Sequence, residues 1–178
     1  MENLGVMSVR NITLSVIVQG QIQMIIKLTE TECEFARILG AKRRGSNRAN
    51  NITDKLVARE DPMDMDIQGV GAEIAFAKAY GLYPPFDIGI RSGSCDFVVN
   101  GKTVDVKTSK HKNARLIVAP DKVNEDHSCD IYVLATGELP TFNFRGYALK
   151  KDICNPLNLI KLRSMVYALG IKDLKSMP

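Results

Sequence analysis

The stretch CDFVVNGKTVDVK, residues 95–107, carries two aspartates and a lysine in an otherwise apolar segment. Asp96 and Asp105 lie on either side of the sequence NG, and Lys107 follows the second acid by two residues. Two carboxylates at close range repel each other and raise each other's pKa, whereas a divalent cation between them turns the repulsion into coordination. A lysine beside such a cation can orient a water molecule and offset charge on a phosphate. These residue types therefore favour hydrolysis of a phosphodiester by metal-activated water.

A β-hairpin is predicted to position these side chains, because Asn-Gly between alternating apolar residues is the strongest short-range hairpin signal. A two-residue turn at Asn100-Gly101 places Asp96 directly opposite Asp105, with Cβ atoms roughly 5 Å apart. Alternation puts Lys107 on the same face. The opposite face is apolar and suits a core: Phe97, Val99, Val104 and Val106. A purely structural alternative stays open, in which Asp96 caps the strand and Asp105 pairs with a lysine on a solvated face.

Two helices are predicted before this hairpin. The first begins at Thr29 or Thr31 and runs to about residue 44, with acids in its first turn and bases in its last. Its apolar stripe is predicted to be Phe35, Ile38 and Leu39. A polar loop is expected over residues 43–54. The second helix is predicted over residues 67–80, ended by Gly81, with Val70, Ile74 and Ala77 on its buried face and Glu73 beside that face.

Strands are predicted at both ends of the chain. Residues 11–28 favour a hairpin turning at residues 19–20, and β-branched and aromatic residues favour strands at 115–120, 130–136 and 141–149. The last two strands are expected to pair antiparallel, before a short helix at about 148–154. The pattern indicates an α/β (α+β) fold, a mixed β-sheet flanked by helices. We expect a single domain over residues 1–178, with an N-terminal hairpin, helix and basic loop in 1–60 and a core in 66–150.

Composition is that of an ordinary globular protein, with 45% apolar and 25% charged residues among 178. No apolar run approaches the length needed to cross a bilayer, and no secretory signal is recognised, so no membrane partner is expected. The four cysteines, Cys33, Cys95, Cys129 and Cys154, form no C-x-x-C pair. That usage favours reduced thiols in a cytoplasmic protein over a disulfide framework or a zinc site.

The net charge of +4 is modest, but basic residues concentrate in two segments. Residues 42–59 and 107–115 combine basic side chains with Asn and Ser, which suits contact with phosphates. A solvated surface is the alternative for either segment alone. The predicted nucleic-acid contacts are Lys42, Arg43, Arg44, Arg48, Lys110, Lys112 and Arg115.

The order of these features resembles the PD-(D/E)xK nuclease superfamily. GAEIAFAKAYG, SGSCDFVVNGKTVDVKTS and CDIYVLATG follow that superfamily's sequence of acidic helix, hairpin and later core strands, and they are also similar to small phage-encoded endonucleases. The resemblance covers roughly residues 66–150. Cys95 stands where the motif has proline, and no specificity element is recognised.

The resemblance implies a restriction-endonuclease-like fold and a Mg²⁺- or Mn²⁺-dependent deoxyribonuclease. Asp96 and Asp105 match the metal-binding acids, Lys107 the catalytic lysine and Glu73 the helical acid, with the Val106 carbonyl completing the metal site. DNA is the expected partner, RNA is not excluded, and a homodimer would be needed to cut two strands. A phage origin, implied only by the resemblance, would place the protein in the host cytoplasm. The alternative is a catalytically silent nucleic-acid-binding protein of the same fold.

Overall fold

A computed structural model describes residues 15–18, 21–50, 61–88, 95–120 and 128–178. Two β-sheets form within these ranges. The larger is mixed and has six strands: β1 (Ser15–Val18), β2 (Gln21–Lys27), β3 (Phe97–Val99), β4 (Lys102–Ser109), β6 (Ile131–Glu138) and β7 (Thr141–Leu149). The smaller has three: β5 (Leu116–Val118), β8 (Leu159–Lys161) and β9 (Met165–Leu169). The chain therefore has an α+β fold with a mixed sheet flanked by helices.

The strand order of the larger sheet is β1-β2-β7-β6-β4-β3. Only β4 and β6 pair in parallel, and the other neighbours are antiparallel. The predicted N-terminal hairpin is confirmed for the described residues, as is the antiparallel pair formed by β6 and β7. The parallel pair places β4, the strand that carries Asp105 and Lys107, beside the buried strand β6.

Helix α1 (Glu30–Ala49) begins directly after Thr29, the first of the two predicted starts. Thr29 caps its N-terminus in a capping box, in which the Thr29 side chain accepts from the Glu32 N–H and the Glu32 carboxylate accepts from the Thr29 N–H. The helix continues to Ala49, however, so the loop predicted over residues 43–54 is wrong as far as residue 49, and residues 51–54 lie outside the described ranges. Buried arginines hold this second half against the next helix, a feature that apolar periodicity does not reveal.

The buried stripe of α1 also differs from the prediction. Phe35 and Ile38 are 40% and 47% exposed, and only Leu39 of the predicted stripe is buried. The face that packs against the next helix contains small residues instead, among them Ala36 and Gly40. A Cβ at Gly40 would lie 2.7 Å from the Ile67 Cα atom, so the close approach of the two helices requires glycine there.

Helix α2 (Pro62–Tyr80) begins before the predicted residue 67, because Asp61 caps it and Pro62 occupies its first turn. Gly81 ends it in the left-handed conformation, as predicted. Val70, Ile74 and Ala77 are buried as expected. A further α-helix within the described ranges, α3 (Lys150–Ile153), confirms the short helix predicted at residues 148–154.

Two apolar cores lie on opposite faces of the larger sheet. The first packs α1 and α2 against the face that carries Phe97, Val104 and Val106, as the alternation predicted. The second joins the other face, at Tyr132 and Leu134, to Leu116 and Val118 of the smaller sheet. Residues after 155 supply β8 and β9 of that smaller sheet.

Cys95 and Cys129 form a disulfide, with Cα atoms 5.8 Å apart. The prediction of reduced cysteines is therefore wrong for this pair, although Cys33 and Cys154 are free. The two bonded residues are 34 positions apart and meet because β4 pairs in parallel with β6. Cysteine usage consequently gives no support to a reducing compartment.

Candidate active site

The hairpin that carries the candidate site has the predicted register. Val99 pairs with Lys102 and Phe97 with Val104. Asn100 and Gly101 have φ values of 50° and 74°, as a two-residue turn with two left-handed positions requires. Asparagine and glycine adopt that conformation at low cost. The local sequence is therefore sufficient to set the alternation of β4.

Asp96 lies one residue before β3 and is attached to β4 by two hydrogen bonds. Its N–H donates to the Val104 carbonyl at 2.9 Å, and its carboxylate accepts from the Val106 N–H at 2.8 Å. The paired ladder ends at Phe97, so the predicted direct opposition of Asp96 and Asp105 is not part of it. The Asp96 carboxylate instead reaches along β4 to the residue between Asp105 and Lys107.

Asp105 and Lys107 share the face of β4 opposite the apolar face. Lys107 Nζ lies 2.5 Å from Asp105 Oδ2, and the two side chains are 38% and 15% exposed. Their neighbours on β6 are Leu134 and Tyr132, which pack against the smaller sheet. The contact between Asp105 and Lys107 is compatible both with a nuclease site and with the purely structural alternative. That alternative placed Asp105 on a solvated face, however, and the low exposure of Asp105 does not fit such a face.

Glu73 projects from α2 and is 8% exposed. Arg43 Nη1 donates to its carboxylate at 2.8 Å. The same guanidinium donates to the backbone carbonyls of Pro85 and Asp87. Arg43 thus joins α1, α2 and the segment after α2, a role that no sequence signal indicated because Arg43 and Glu73 are thirty positions apart.

The electrostatics of Asp96 connect these groups. Burial raises the pKa of the Asp96 carboxyl to about 8, and the negative charges of Glu73 and Asp105 add to the effect. The hydrogen bond from Val106 and the positive charge of Lys107 oppose it. Burial by itself lowers the pKa of Lys107, but Asp105 and Asp96 outweigh this and raise it, so Lys107 is a cation. The structure therefore brings Asp96, Asp105 and Lys107 together, with Glu73 close enough to affect Asp96.

Asp96→Asn should remove a pH dependence of stability. An ordinary Asp loses its proton near pH 3.8, whereas folded Asp96 retains it to about pH 8, so folding binds a proton between these values and stability falls as pH rises through them. We expect metal-free Asp96→Asn to melt a few degrees above wild type at pH 8 and the difference to shrink towards pH 4. Thermal melts by circular dichroism across this range measure the effect. Parallel melting curves for the two proteins would contradict it.

The oxygen donors present suit Mg²⁺ or Mn²⁺. Mg²⁺ commonly binds one or two carboxylates and keeps several waters, and Asp96 and Asp105 supply two carboxylates whose mutual repulsion a cation would relieve. Within the residues that the structure describes, no three His, Cys, Asp or Glu side chains are arranged to hold a metal ion. The residues present therefore suit a metal site with two carboxylate ligands, Asp96 and Asp105. The third predicted acid, Glu73, forms an ion pair with Arg43.

The predicted nucleic-acid contacts divide into exposed and buried groups. Lys42, Arg48, Lys112 and Arg115 are exposed. Arg43 and Arg44 are 8% and 4% exposed and pair with Glu73 and Asp66, so neither offers its charge to a phosphate. Lys110 pairs with Asp64 and lies 3.6 Å from Glu138. The predicted phosphate surface is therefore wrong for Arg43 and Arg44, because a run of bases on a helix places some of them on its packed face.

The described helices include none that is both long and apolar enough to span a membrane. Residues 20–137 match a family of unknown function, DUF5843. Because that match covers more than half of the chain, the protein belongs to this family. No curated protein and no solved structure matches the chain.

Proposed function

We propose that this protein is a metal-dependent DNA endonuclease with a restriction-endonuclease-like arrangement. The observation that carries the proposal is the convergence on β4 of Asp96, bound to the Val106 N–H, with Asp105 and Lys107, whose charged groups are 2.5 Å apart. A structural hairpin has no need for a carboxyl whose pKa is raised to about 8 by burial, with further increases from the charges of Glu73 and Asp105. A cation and a phosphate would satisfy both the acids and the lysine.

In this proposal, Asp96 and Asp105, with the Val106 carbonyl, would hold Mg²⁺ or Mn²⁺. When bound, the ion supplies a water of lowered pKa and neutralises charge on the phosphate. Lys107 is a cation and so acts as a donor: it orients the attacking water and stabilises the charge that develops on the phosphate oxygens. Glu73 contributes negative charge near Asp96 and is itself held in place by Arg43.

The exposed bases on the segment that leaves β4 support a nucleic-acid substrate. Residues 110–115 connect β4, which carries Asp105 and Lys107, to β5 of the smaller sheet, which covers the same face. Lys112 and Arg115 in this segment are exposed. A DNA backbone bound there would lie beside the strand that carries the acids.

The replacement of Lys112 and Arg115 by glutamine should weaken DNA binding and its dependence on salt. Each phosphate contact that is lost reduces the slope of log K against log salt by about 1, so we expect the double variant to lose about 2. Fluorescence anisotropy with a labelled duplex at several salt concentrations measures both quantities. Lys27→Gln is the matched control, because Lys27 is exposed on β2 and two strands, β7 and β6, lie between β2 and β4. Equal slopes for all three proteins would remove this surface from the proposal.

Cleavage assays test the function itself. Wild-type protein is incubated with supercoiled plasmid and with labelled flap, junction and single-stranded DNAs, in Mg²⁺, Mn²⁺ or EDTA. We expect cutting in either metal and none in EDTA, and the preferred substrate identifies the class of nuclease. Binding to these DNAs without cutting in either metal would favour the alternative function, a catalytically silent nucleic-acid-binding protein, for which the exposed bases are the supporting observation.

A further inference from the structure

A cavity of about 260 Å³ lies on the α2 side of the larger sheet, opposite the face that carries Asp105 and Lys107. Phe76 from α2 and Val104, Val133 and Tyr147 from three neighbouring strands form apolar walls. Met177 also lines it. The volume and the apolar lining suit a small apolar molecule.

Tyr80 also lines this cavity, and its side chain ends in a hydroxyl. Its oxygen is buried and has no hydrogen-bond partner within the described part of the chain. Burial, with a smaller contribution from Tyr147, raises the pKa of Tyr80 to about 12, so the hydroxyl keeps its proton and is a donor. A buried donor without an acceptor is unfavourable and is uncommon in folded proteins. A ligand oxygen in the cavity would supply that acceptor.

Lys102 provides positive charge on the same lining, where it is the one charged side chain among the described residues. Its ammonium lies 3.6 Å from Asp130 Oδ1, and the Lys102 side chain is 63% exposed. Asp130 does not depend on this contact, because its other carboxylate oxygen accepts from both the N–H and the hydroxyl of Thr103. Lys102 can therefore turn to an anion at the cavity without leaving Asp130 unsatisfied.

We propose that this cavity binds a small monocarboxylate with a hydrocarbon body. The hydrocarbon part would contact Phe76, Val104 and Val133, while the carboxylate would accept from the Tyr80 hydroxyl and pair with Lys102. This ligand class is distinct from the metal and DNA of the proposed nuclease, and it binds on the other face of the sheet. The site requires neither the acids of β4 nor the basic segment 110–115.

Sodium octanoate is the probe, and 1-octanol is its uncharged counterpart of equal chain length. Both are titrated into metal-free, DNA-free protein and followed by isothermal calorimetry and by ¹H–¹⁵N correlation spectra. We expect saturable binding of octanoate, with shifts concentrated at Tyr80, Val104 and Val133, and weaker binding of octanol. Lys102→Gln should lose about tenfold in affinity for octanoate and little for octanol. Tyr80→Phe should weaken both.

Two tryptophan variants separate filling of the cavity from disturbance of the hairpin. Val99 lines the cavity, whereas its neighbour Val98 is 66% exposed and lies on the other face of the same strand. Val99→Trp should abolish octanoate binding, and Val98→Trp should leave it unchanged. Because the natural chain has no tryptophan, the emission of each variant also shows whether its hairpin is folded. Absence of saturable binding, equal affinity for octanoate and octanol, or equal binding by the two tryptophan variants would overturn the proposal.

Discussion

Asp105→Asn and Lys107→Met are each expected to slow DNA cleavage by about 10² to 10³-fold, the loss typical of removing one group that stabilises developing charge. Asp105→Asn removes a carboxylate that would bind the metal, while its amide keeps nearly the same volume. Lys107→Met keeps the length and apolar packing of the side chain and removes only the charge. Single-turnover nicking of plasmid in Mn²⁺ measures the rates.

Binding and folding controls give this prediction its specificity. Both variants should still bind DNA, since neither residue belongs to the exposed basic segment, and both should keep the far-ultraviolet circular dichroism of wild type. Lys102→Met is the matched control for Lys107→Met, because it removes a lysine from the same strand at a 63% exposed position. Cleavage rates within a few-fold of wild type in Asp105→Asn and Lys107→Met would rule out these residues as the active site.

Arg43→Met should lower the free energy of unfolding by about 3–5 kcal/mol. Removing one partner of a buried ion pair leaves the charge of the other partner, here Glu73, without its compensation. Glu73 would lose its guanidinium partner, and the carbonyls of Pro85 and Asp87 would lose their donor. For a chain of this size, that corresponds to a fall in melting temperature of roughly 6–20 °C. Denaturant and thermal unfolding, both followed by circular dichroism, measure the change.

Arg37→Met is the matched control for Arg43→Met on the same helix. Arg37 pairs with Glu34 at the surface, where the two side chains are 53% and 62% exposed, so its loss should change stability by less than about 0.5 kcal/mol. A similar small effect for Arg43→Met would show that the pair with Glu73 contributes little.

Local signals explain which parts of the fold could be predicted. Asn100-Gly101 specified the hairpin register, Thr29 was one of two predicted starts of α1, and Gly81 specified the end of α2. Each of these signals acts within a few residues, where backbone conformation and capping bonds depend on the side chains present. The alternation along β4 then placed Asp105 and Lys107 correctly on one face.

The contacts that could not be predicted are those between residues distant in sequence. Arg43 meets Glu73, and Cys95 meets Cys129, only because helix packing and the parallel β4–β6 pair bring them together. The position of the Asp96 side chain could also not be predicted in full, although its partner is only ten residues away. Hairpin register predicted its neighbourhood, but the hydrogen bond of its carboxylate to the Val106 N–H depends on where the ladder ends.

The most direct test of the proposed metal site is the melting temperature of wild-type protein and Asp105→Asn at pH 8 during titration with Mg²⁺ and Mn²⁺. This measurement needs no knowledge of the DNA structure that is cut. A cation that binds only the folded state raises stability as its concentration exceeds the dissociation constant. We expect wild type to be stabilised by either ion, with reversal by EDTA, and Asp105→Asn to respond little. An equal response in both proteins, or none in wild type, would contradict a cation site at Asp96 and Asp105.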